Sequence, residues 1–176
     1  MKTEFVTIAL TNPKNASNVG SVMRAAGCYQ VNQVLYSGTR YDRAVKMATD
    51  TQKVTTSIPL INIEALGVAA FVDAVDADTR IVCVDLIQGA TPLPAFQHPE
   101  KAVYIFGPED GTISQSIVDR ADHVVFVPTV GCMNLAASVN VLLYDRMAKS
   151  ARAQAGDELI LQSKDVNNNV KVKKAM

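Results

Sequence analysis

Val103–Asp145 reads VYIFGPEDGTISQSIVDRADHVVFVPTVGCMNLAASVNVLLYD, and its rhythm decides the fold. Two apolar runs, residues 102–106 and 123–127, have the length and composition of buried strands. Each ends in turn formers, Gly107-Pro108 and Pro128 to Gly131, and each leads into a helix-like segment, Ile113–Arg120 and Asn134–Arg152. Strand, turn and helix repeated in this way predict a parallel sheet covered by helices. In such sheets ligands bind in crevices at the carboxyl ends of strands. Two turns of this kind close together predict a pocket made largely of main chain, suited to an adenine ring or an amino-acid zwitterion. A phosphate cradle would want more glycine.

The alternation extends to the rest of the chain. Glu4–Leu10 reads as a strand, and Asn18–Cys28 as a helix begun by Ser17 or Asn18. Val31–Tyr36 is a strand, Tyr41–Thr49 a helix, Ser57–Ile61 a short strand and Ile63–Val72 a helix. Arg80–Leu86 is a strand followed by a loop, Gln88–Pro99, that holds three of the seven prolines. Beyond Ala153 the apolar pattern thins, and Asn167–Asn169 with Lys171, Lys173 and Lys174 read as a mobile basic tail. The expectation is one α/β domain over residues 1–152 and a C-terminal extension over 153–176.

Bulk properties exclude several classes. A chain of 176 residues is long enough to bury a substantial core as one domain. No apolar run approaches the roughly 18 residues of a membrane-spanning helix, and MKTEFVTIALTNPKN reads as strand and turn rather than a signal peptide. Cys28, Cys83 and Cys132 are odd in number and far apart, with no metal spacing and no disulfide framework. A cytoplasmic protein with reduced thiols and no metal is expected. Net charge is zero, which argues against gripping nucleic acid with the whole surface. The charge is unevenly spread: residues 1–60 carry seven Lys/Arg against three Asp/Glu, 61–130 three against ten, and 131–176 seven against four.

Three segments together resemble a known family. FGPEDG (107–111 with Phe106 before it) and VPTVGCMNL (127–135) are similar to the second and third motifs of the SPOUT methyltransferases, TrmH-like branch. NPKNASNVGSVMR (12–24) resembles the first motif, at the correct end of the chain. The resemblance spans residues 1–152. It implies a C-terminal trefoil knot over roughly Gly107 to Arg152, a homodimer with the cofactor pocket near the subunit interface, and S-adenosyl-L-methionine as cofactor.

The residues permit plain readings beside those the resemblance implies. Read alone, Arg24 is a surface or salt-bridged arginine; the resemblance places it at an RNA ribose, where it helps activate the 2′-hydroxyl. Arginine stays protonated, so orienting a phosphate and stabilising a developing alkoxide suit it better than proton abstraction. Asn15 and Asn18 read as turn and cap residues; the resemblance adds a site role for Asn18. Glu109 reads as a loop or capping carboxylate, and the resemblance sets it at the substrate end of the pocket. Gly107 allows a ligand to lie against the backbone.

Cys132 departs from the family pattern, which has serine there. Asn134 matches the pattern, and its plain role is to cap the helix it precedes. Val127 and Leu135 read as core residues that also line an adenine site, and Asp85-Leu86 as a further pocket edge. Arg40 and Arg43, with Lys46, form a candidate RNA-facing patch or a solvated helix face.

The reading that follows is a minimal S-adenosylmethionine-dependent RNA 2′-O-ribose methyltransferase. Arg24, Glu109 and Asn134 are the expected catalytic residues, and Asp85, Leu86, Gly107, Val127, Cys132 and Leu135 the expected cofactor residues. Asn18, Arg40 and Arg43 would face RNA, with transfer RNA preferred. Ribosomal RNA as substrate, a base-methylating enzyme and a catalytically silent RNA-binding protein are the alternatives within the family. A generic nucleotide-binding α/β protein is disfavoured because TNPKNASNVGS is neither G-x-G-x-x-G nor a P-loop.

Overall fold

Alternate residues of the first strand serve two different cores. Val6, Ile8 and Leu10 join one buried cluster, while Ala9 joins the other. This is the period-two signature of a strand buried on both faces. A computed structural model describes residues 4–47, 57–151 and 155–173. Along the chain come β1 (Phe5–Leu10), α1 (Ala16–Cys28), β2 (Gln33–Tyr36), α2 (Arg40–Met47), β3 (Leu60–Asn62), α3 (Val68–Asp73) and β4 (Arg80–Val84). They continue with β5 (Thr91–Pro92), a 3-10 turn (Leu93–Ala95), β6 (Lys101–Phe106), α4 (Gln115–Val118), β7 (His123–Phe126), α5 (Leu135–Lys149) and α6 (Asp157–Ser163).

The strands form one seven-stranded sheet in the order β3-β2-β1-β6-β4-β7-β5, and all pairs are parallel. α1 and α5 pack together over one face through Val19, Val22, Met23, Val139, Leu142 and Leu143. α3 and α4, with the loop before α4, cover the other through Val72, Ile117 and Ile113. The expected α/β parallel-sheet class is therefore present, and β6, the most buried strand, lies between β1 and β4.

Several boundaries differ from the sequence reading, each for a local reason. α1 starts at Ala16, because Asn15 is its N-cap and its side chain accepts from the Ser17 and Asn18 N–H groups. The helix expected over Ile63–Val72 is interrupted by Gly67, at φ 77°, and begins only at Val68. β4 stops at Val84 because the Asp85 carboxylate takes the Leu86 N–H at 2.8 Å and the Ile113 N–H at 3.1 Å. The proline-bearing loop holds β5, whose ladder to β7 was not expected there. α5 begins at Leu135 with Asn134 as its cap, and Arg152, its expected last residue, lies outside the described residues. So does Thr49, the expected end of α2. The extension contains α6, where Asp157 and Glu158 in the first turn complement the helix dipole.

The chain between β5 and β6 wraps against α5. Lys149 donates from Nζ to the carbonyls of Leu93 (2.7 Å) and Phe96 (3.0 Å), and Arg146 donates to those of Pro99 and Glu100. This contact between loop and C-terminal helix is consistent with the knot the resemblance implies. At its centre is His98, whose side chain is 4% exposed. Its Nε2 lies 2.8 Å from the Asp145 carboxylate and its Nδ1 2.8 Å from the Tyr104 hydroxyl. Arg146 also donates to the Tyr104 oxygen at 2.9 Å. The neutral ring satisfies everyone: Nε2–H donates to Asp145, and Tyr104 O–H donates to Nδ1. A protonated ring would leave the Tyr104 O–H without that acceptor.

His98 is accordingly held below its ordinary pKa, chiefly by burial, with Arg146 and Lys149 acting in the same direction and Asp145 opposing. The unfolded chain therefore takes up this proton at higher pH than the folded one. Stability is complete above the ordinary histidine pKa of about 6.5 and declines as pH falls below it. His98→Ala should cost about 1–3 kcal/mol at pH 7.5 by leaving buried partners unsatisfied, roughly 2–12 °C in melting temperature at this length. It should also flatten the fall in melting temperature between pH 7.5 and 5.5; an unchanged slope would remove His98 from this account.

Candidate active site

The carboxyl ends of β4, β6 and β7 open into one cleft. Asp85 and Leu86 line it from the end of β4, Gly107 from the end of β6, and Val127, Cys132 and Leu135 from the turn between β7 and α5. All six residues expected to hold a cofactor are thus brought together. The turn is held by Thr129, whose hydroxyl donates to the Gly131 carbonyl at 2.9 Å. Gly107 is required sterically: a Cβ there would stand 2.8 Å from Asp85 Oδ2 and 3.2 Å from the Ile113 nitrogen.

Thr129, Met133 and Ser138 also line the cleft, and sequence reasoning did not single them out. Ser138 was the most findable, since it sits one helical turn after Asn134 and its hydroxyl donates to the Asn134 carbonyl at 3.1 Å. The cleft has two carboxylates in its walls, Asp85 and Glu109. Among the described residues that line it there is no Lys, Arg or His.

At its outer end the cleft meets a chain of hydrogen bonds that joins all three motifs. Glu109 accepts from the Lys14 N–H at 2.9 Å, the Asn15 N–H at 3.2 Å and the Asn18 side-chain amide at 3.1 Å. Asn18 in turn accepts from the Asn134 Nδ2 at 3.0 Å. Asn134 keeps its oxygen for the α5 cap, taking the Ala136 N–H at 2.9 Å and the Ala137 N–H at 3.3 Å. Partial burial is the largest single influence on Glu109 and pushes its carboxyl up. The N–H and amide donors together outweigh it and hold the group below the ordinary glutamate value.

The expected arginines of the site lie elsewhere. Arg24 is exposed on α1, on the face shared by Ser17, Ser21 and Cys28 at helical spacing. It does not line the cleft, and among the described residues it makes no ion pair or side-chain hydrogen bond. Arg40 is engaged within the protein: NH1 donates to both Asp110 oxygens at 2.9 Å, and Nε to the Asn12 carbonyl at 3.0 Å. Arg43 is exposed, one turn along α2. Cys132 has an exposed thiol with no histidine to activate it. His98 is bound to Tyr104 and Asp145, and the His123 ring packs on Phe96 at 5.3 Å.

The fold agrees with what comparison with known proteins shows. Residues 6–144 match the model of the SpoU rRNA Methylase family. Over 160 residues the chain is 25% identical to the tRNA (cytidine-2′-O-)-methyltransferase TrmJ of Methanocaldococcus jannaschii, covering 84% of this chain and 70% of that one. Its fold is similar to the SpoU methyltransferase AviRb of Streptomyces viridochromogenes in complex with AdoMet, with TM-score 0.66, 20% identity and coverage of 83% of this chain and 58% of that one. This chain thus spans a little over half the length of AviRb. It is also similar to a chain from a structural study of 2-OH methylation of C/U34 on tRNA, with TM-score 0.67, 19% identity and coverage of 85% and 92%. The match over most of its length places this chain in the SpoU methylase family.

Gly107→Ala should cost about 1–3 kcal/mol through overpacking against Asp85 and the Ile113 backbone. A scan of thermal unfolding reads this as a drop of several degrees; an unchanged melting temperature would mean that the turn yields without cost.

Proposed function

We propose that this protein is an S-adenosylmethionine-dependent RNA ribose-2′-O-methyltransferase that acts on transfer RNA. The observation that carries this reading is the charge of the cleft, which presents Asp85 and Glu109 and no basic side chain among its described lining residues. Nucleotide phosphates are repelled by such walls, whereas a sulfonium cation joined to adenosine suits them. Leu86, Val127 and Leu135 supply apolar surface for the adenine, and the turn at 127–135 supplies main-chain groups. Gly107, Asp85 and Cys132 complete the set of residues that would hold the cofactor. When bound, S-adenosylmethionine supplies an already activated methyl group, so positioning of the acceptor oxygen provides much of the rate.

The site's own residues then have separable tasks. Glu109 fixes Asn18, Asn18 fixes Asn134, and the second N–H of Asn134 remains to donate to a substrate oxygen. Arg24 stays protonated and therefore acts as a fixed cation, orienting a phosphate and stabilising the alkoxide that develops on the ribose. Its place on the exposed face of α1 fits a homodimer. α5 packs beside α1 and carries exposed Val141 (37%) and Tyr144 (59%), which offer a second copy an apolar surface on that helix. The transfer-RNA preference follows the Methanocaldococcus jannaschii relative and the similarity that spans nearly the whole of the chain from the C/U34 study. No helix among the described residues is long and apolar enough to cross a membrane; we place the enzyme in the cytoplasm, with residues 1–152 as its catalytic domain.

The test is transfer of labelled methyl from S-adenosylmethionine to total transfer RNA, followed by nucleoside analysis. A 2′-O-methylated nucleoside supports the reading. Methyl transfer only to ribosomal RNA would change the substrate, and cofactor binding without any methyl acceptor would make this a silent binder. Arg24→Ala should lower transfer by about 100-fold or more and leave cofactor affinity, read by calorimetry, nearly unchanged. Cys132→Ser should keep activity, because the thiol has no activating base; complete loss would establish a thiol-dependent step.

A further inference from the structure

Three loops meet on the substrate side of the cleft, and one side chain ties them together. Arg40 opens α2, immediately after the turn that follows β2. Its guanidinium donates to the carbonyl of Asn12, in the loop after β1, through Nε at 3.0 Å and also through NH2. NH1 lies 2.9 Å from both oxygens of Asp110, in the loop after β6. Lys14 adds a second cation 3.4 Å from Asp110.

The backbone around Arg40 is fixed from three directions. Asp42 accepts from the Tyr36 hydroxyl at 2.7 Å and the Asn62 amide at 3.0 Å, which anchors α2 to the ends of β2 and β3. Gly38 (φ 80°) lies under the Asn12 side chain, and a Cβ there would fall 2.1 Å from Asn12 Oδ1. The Gly38 N–H donates to Glu64. Asn12 itself is held at φ 46°, a left-handed conformation.

Such a pair has little value as a stabilising contact. The Arg40 and Asp110 side chains are 30% and 47% exposed, and exposed ion pairs contribute little to folding. Its geometry matters more. The two residues it joins, Asn12 and Asp110, stand next to the residues whose meeting defines the site. Lys14 and Asn15 give their N–H groups to Glu109, and Glu109 is the neighbour of Asp110. Arg40 therefore braces the frame within which Glu109 is seated.

We propose that Arg40 is a positioning residue for methyl transfer: through Asn12 and Asp110 it holds the loop after β1 against the loop after β6, keeping Glu109 on the Lys14 and Asn15 N–H groups and hence Asn18 and Asn134 in place. This rests on the methyltransferase reading above and adds to it a residue that touches neither cofactor nor RNA. Arg40 does not contact β4, β7 or α5, which set Asp85, Val127 and Leu135, and the wall of the cleft that it bears on is the loop after β6 with Gly107 and Glu109.

The experiment compares Arg40→Ala, Arg40→Lys and Asp110→Asn with the wild-type protein. Single-turnover methyl transfer, RNA affinity at several salt concentrations, and amide NMR of Lys14 and Asn15 across pH would be measured. Arg40→Ala should lower the transfer rate by about 10–100-fold, the scale of a small misplacement of reacting groups. Asp110→Asn should lower it in the same direction, and Arg40→Lys should recover part of the loss, since an ammonium can meet Asp110 but not Asn12 as well. RNA affinity and its salt slope should stay unchanged in all three. A weaker affinity with a salt slope reduced by about one would make Arg40 a phosphate ligand and overturn the proposal. Unchanged rates in all three folded variants would overturn it too.

The NMR arm stands without any RNA. In the wild-type protein the Lys14 and Asn15 amides should titrate with Glu109, below the ordinary glutamate range, and in Arg40→Ala the midpoint should rise. A midpoint that does not move overturns the brace even if the RNA substrate proves to be different. Failure of the wild-type protein to methylate any RNA, with the midpoint shifted as expected, would instead remove the proposed reaction and leave the brace intact.

Discussion

The carboxylate of Glu109 is the point at which the two halves of this molecule are tied. It lies just past β6, yet its hydrogen-bond donors come from residues 14, 15 and 18, more than 90 positions earlier. Asn18 then passes the connection to Asn134 at the start of α5, 116 positions later. A parallel sheet makes this possible, because it delivers the carboxyl ends of β1 and β6 side by side, with Leu10 opposite Phe106. Remove the carboxylate and two N–H groups at the start of α1 lose their acceptor. Those two N–H groups, of Lys14 and Asn15, lie just before α1, whose Ser17 and Asn18 N–H groups are taken by the Asn15 side chain, and the positive end of the helix favours a carboxylate placed there.

A second constraint operates at the opposite end of α5. The N-terminus of this helix is set by Asn134 in the site; its C-terminal half is gripped by the loop that carries Phe96, His98 and Pro99. Arg146 and Lys149 point into that loop and saturate its carbonyls. A helix held at both ends cannot slide, so the turn at 127–134 keeps its shape as one wall of the cleft. The His98, Tyr104 and Asp145 group sits at this grip, on the same helix whose cap, Asn134, reaches the cleft's outer end.

Much of this was legible in the sequence because local chemistry decided it. The strand ends near Phe106 and Val127 are marked by Gly-Pro and Pro-to-Gly turns, which foretold a main-chain pocket there, while Asp85 and Leu86 came from the end of an earlier strand and the cofactor role expected of all six residues came from the family resemblance. What was not legible depends on long-range pairing. Nothing local to Asp110 announces that its partner is Arg40, 70 positions earlier, so Arg40 reads from the sequence as an RNA-facing cation or part of a solvated helix face. Nothing near Pro92 announces a strand, because its ladder exists only once β7 lies beside it. The start of α1 was misplaced by two residues for a subtler reason: Asn15, Ser17 and Asn18 are all good caps, and only the geometry shows that Asn15 takes the role.

The charge distribution acquires a different meaning once ion pairs are known. The chain is neutral as a whole, but neutrality is not spread evenly. In the acidic middle third, Asp73 pairs with Arg120, Asp78 with Lys101 and Asp122 with Arg80, which ties up both signs. In the basic first third, Arg40 and Lys14 are drawn to Asp110, while Arg24 and Arg43 make no ion pair among the described residues. Within that third, the guanidinium groups left over lie on α1 and α2, the helices that follow β1 and β2. Under the proposed reading the substrate is a polyanion, and this arrangement suits selective contact with it. Internal pairing cancels most of the nonspecific attraction, and under the proposed reading the exposed guanidinium groups of Arg24 and Arg43 are the ones left to meet a phosphate.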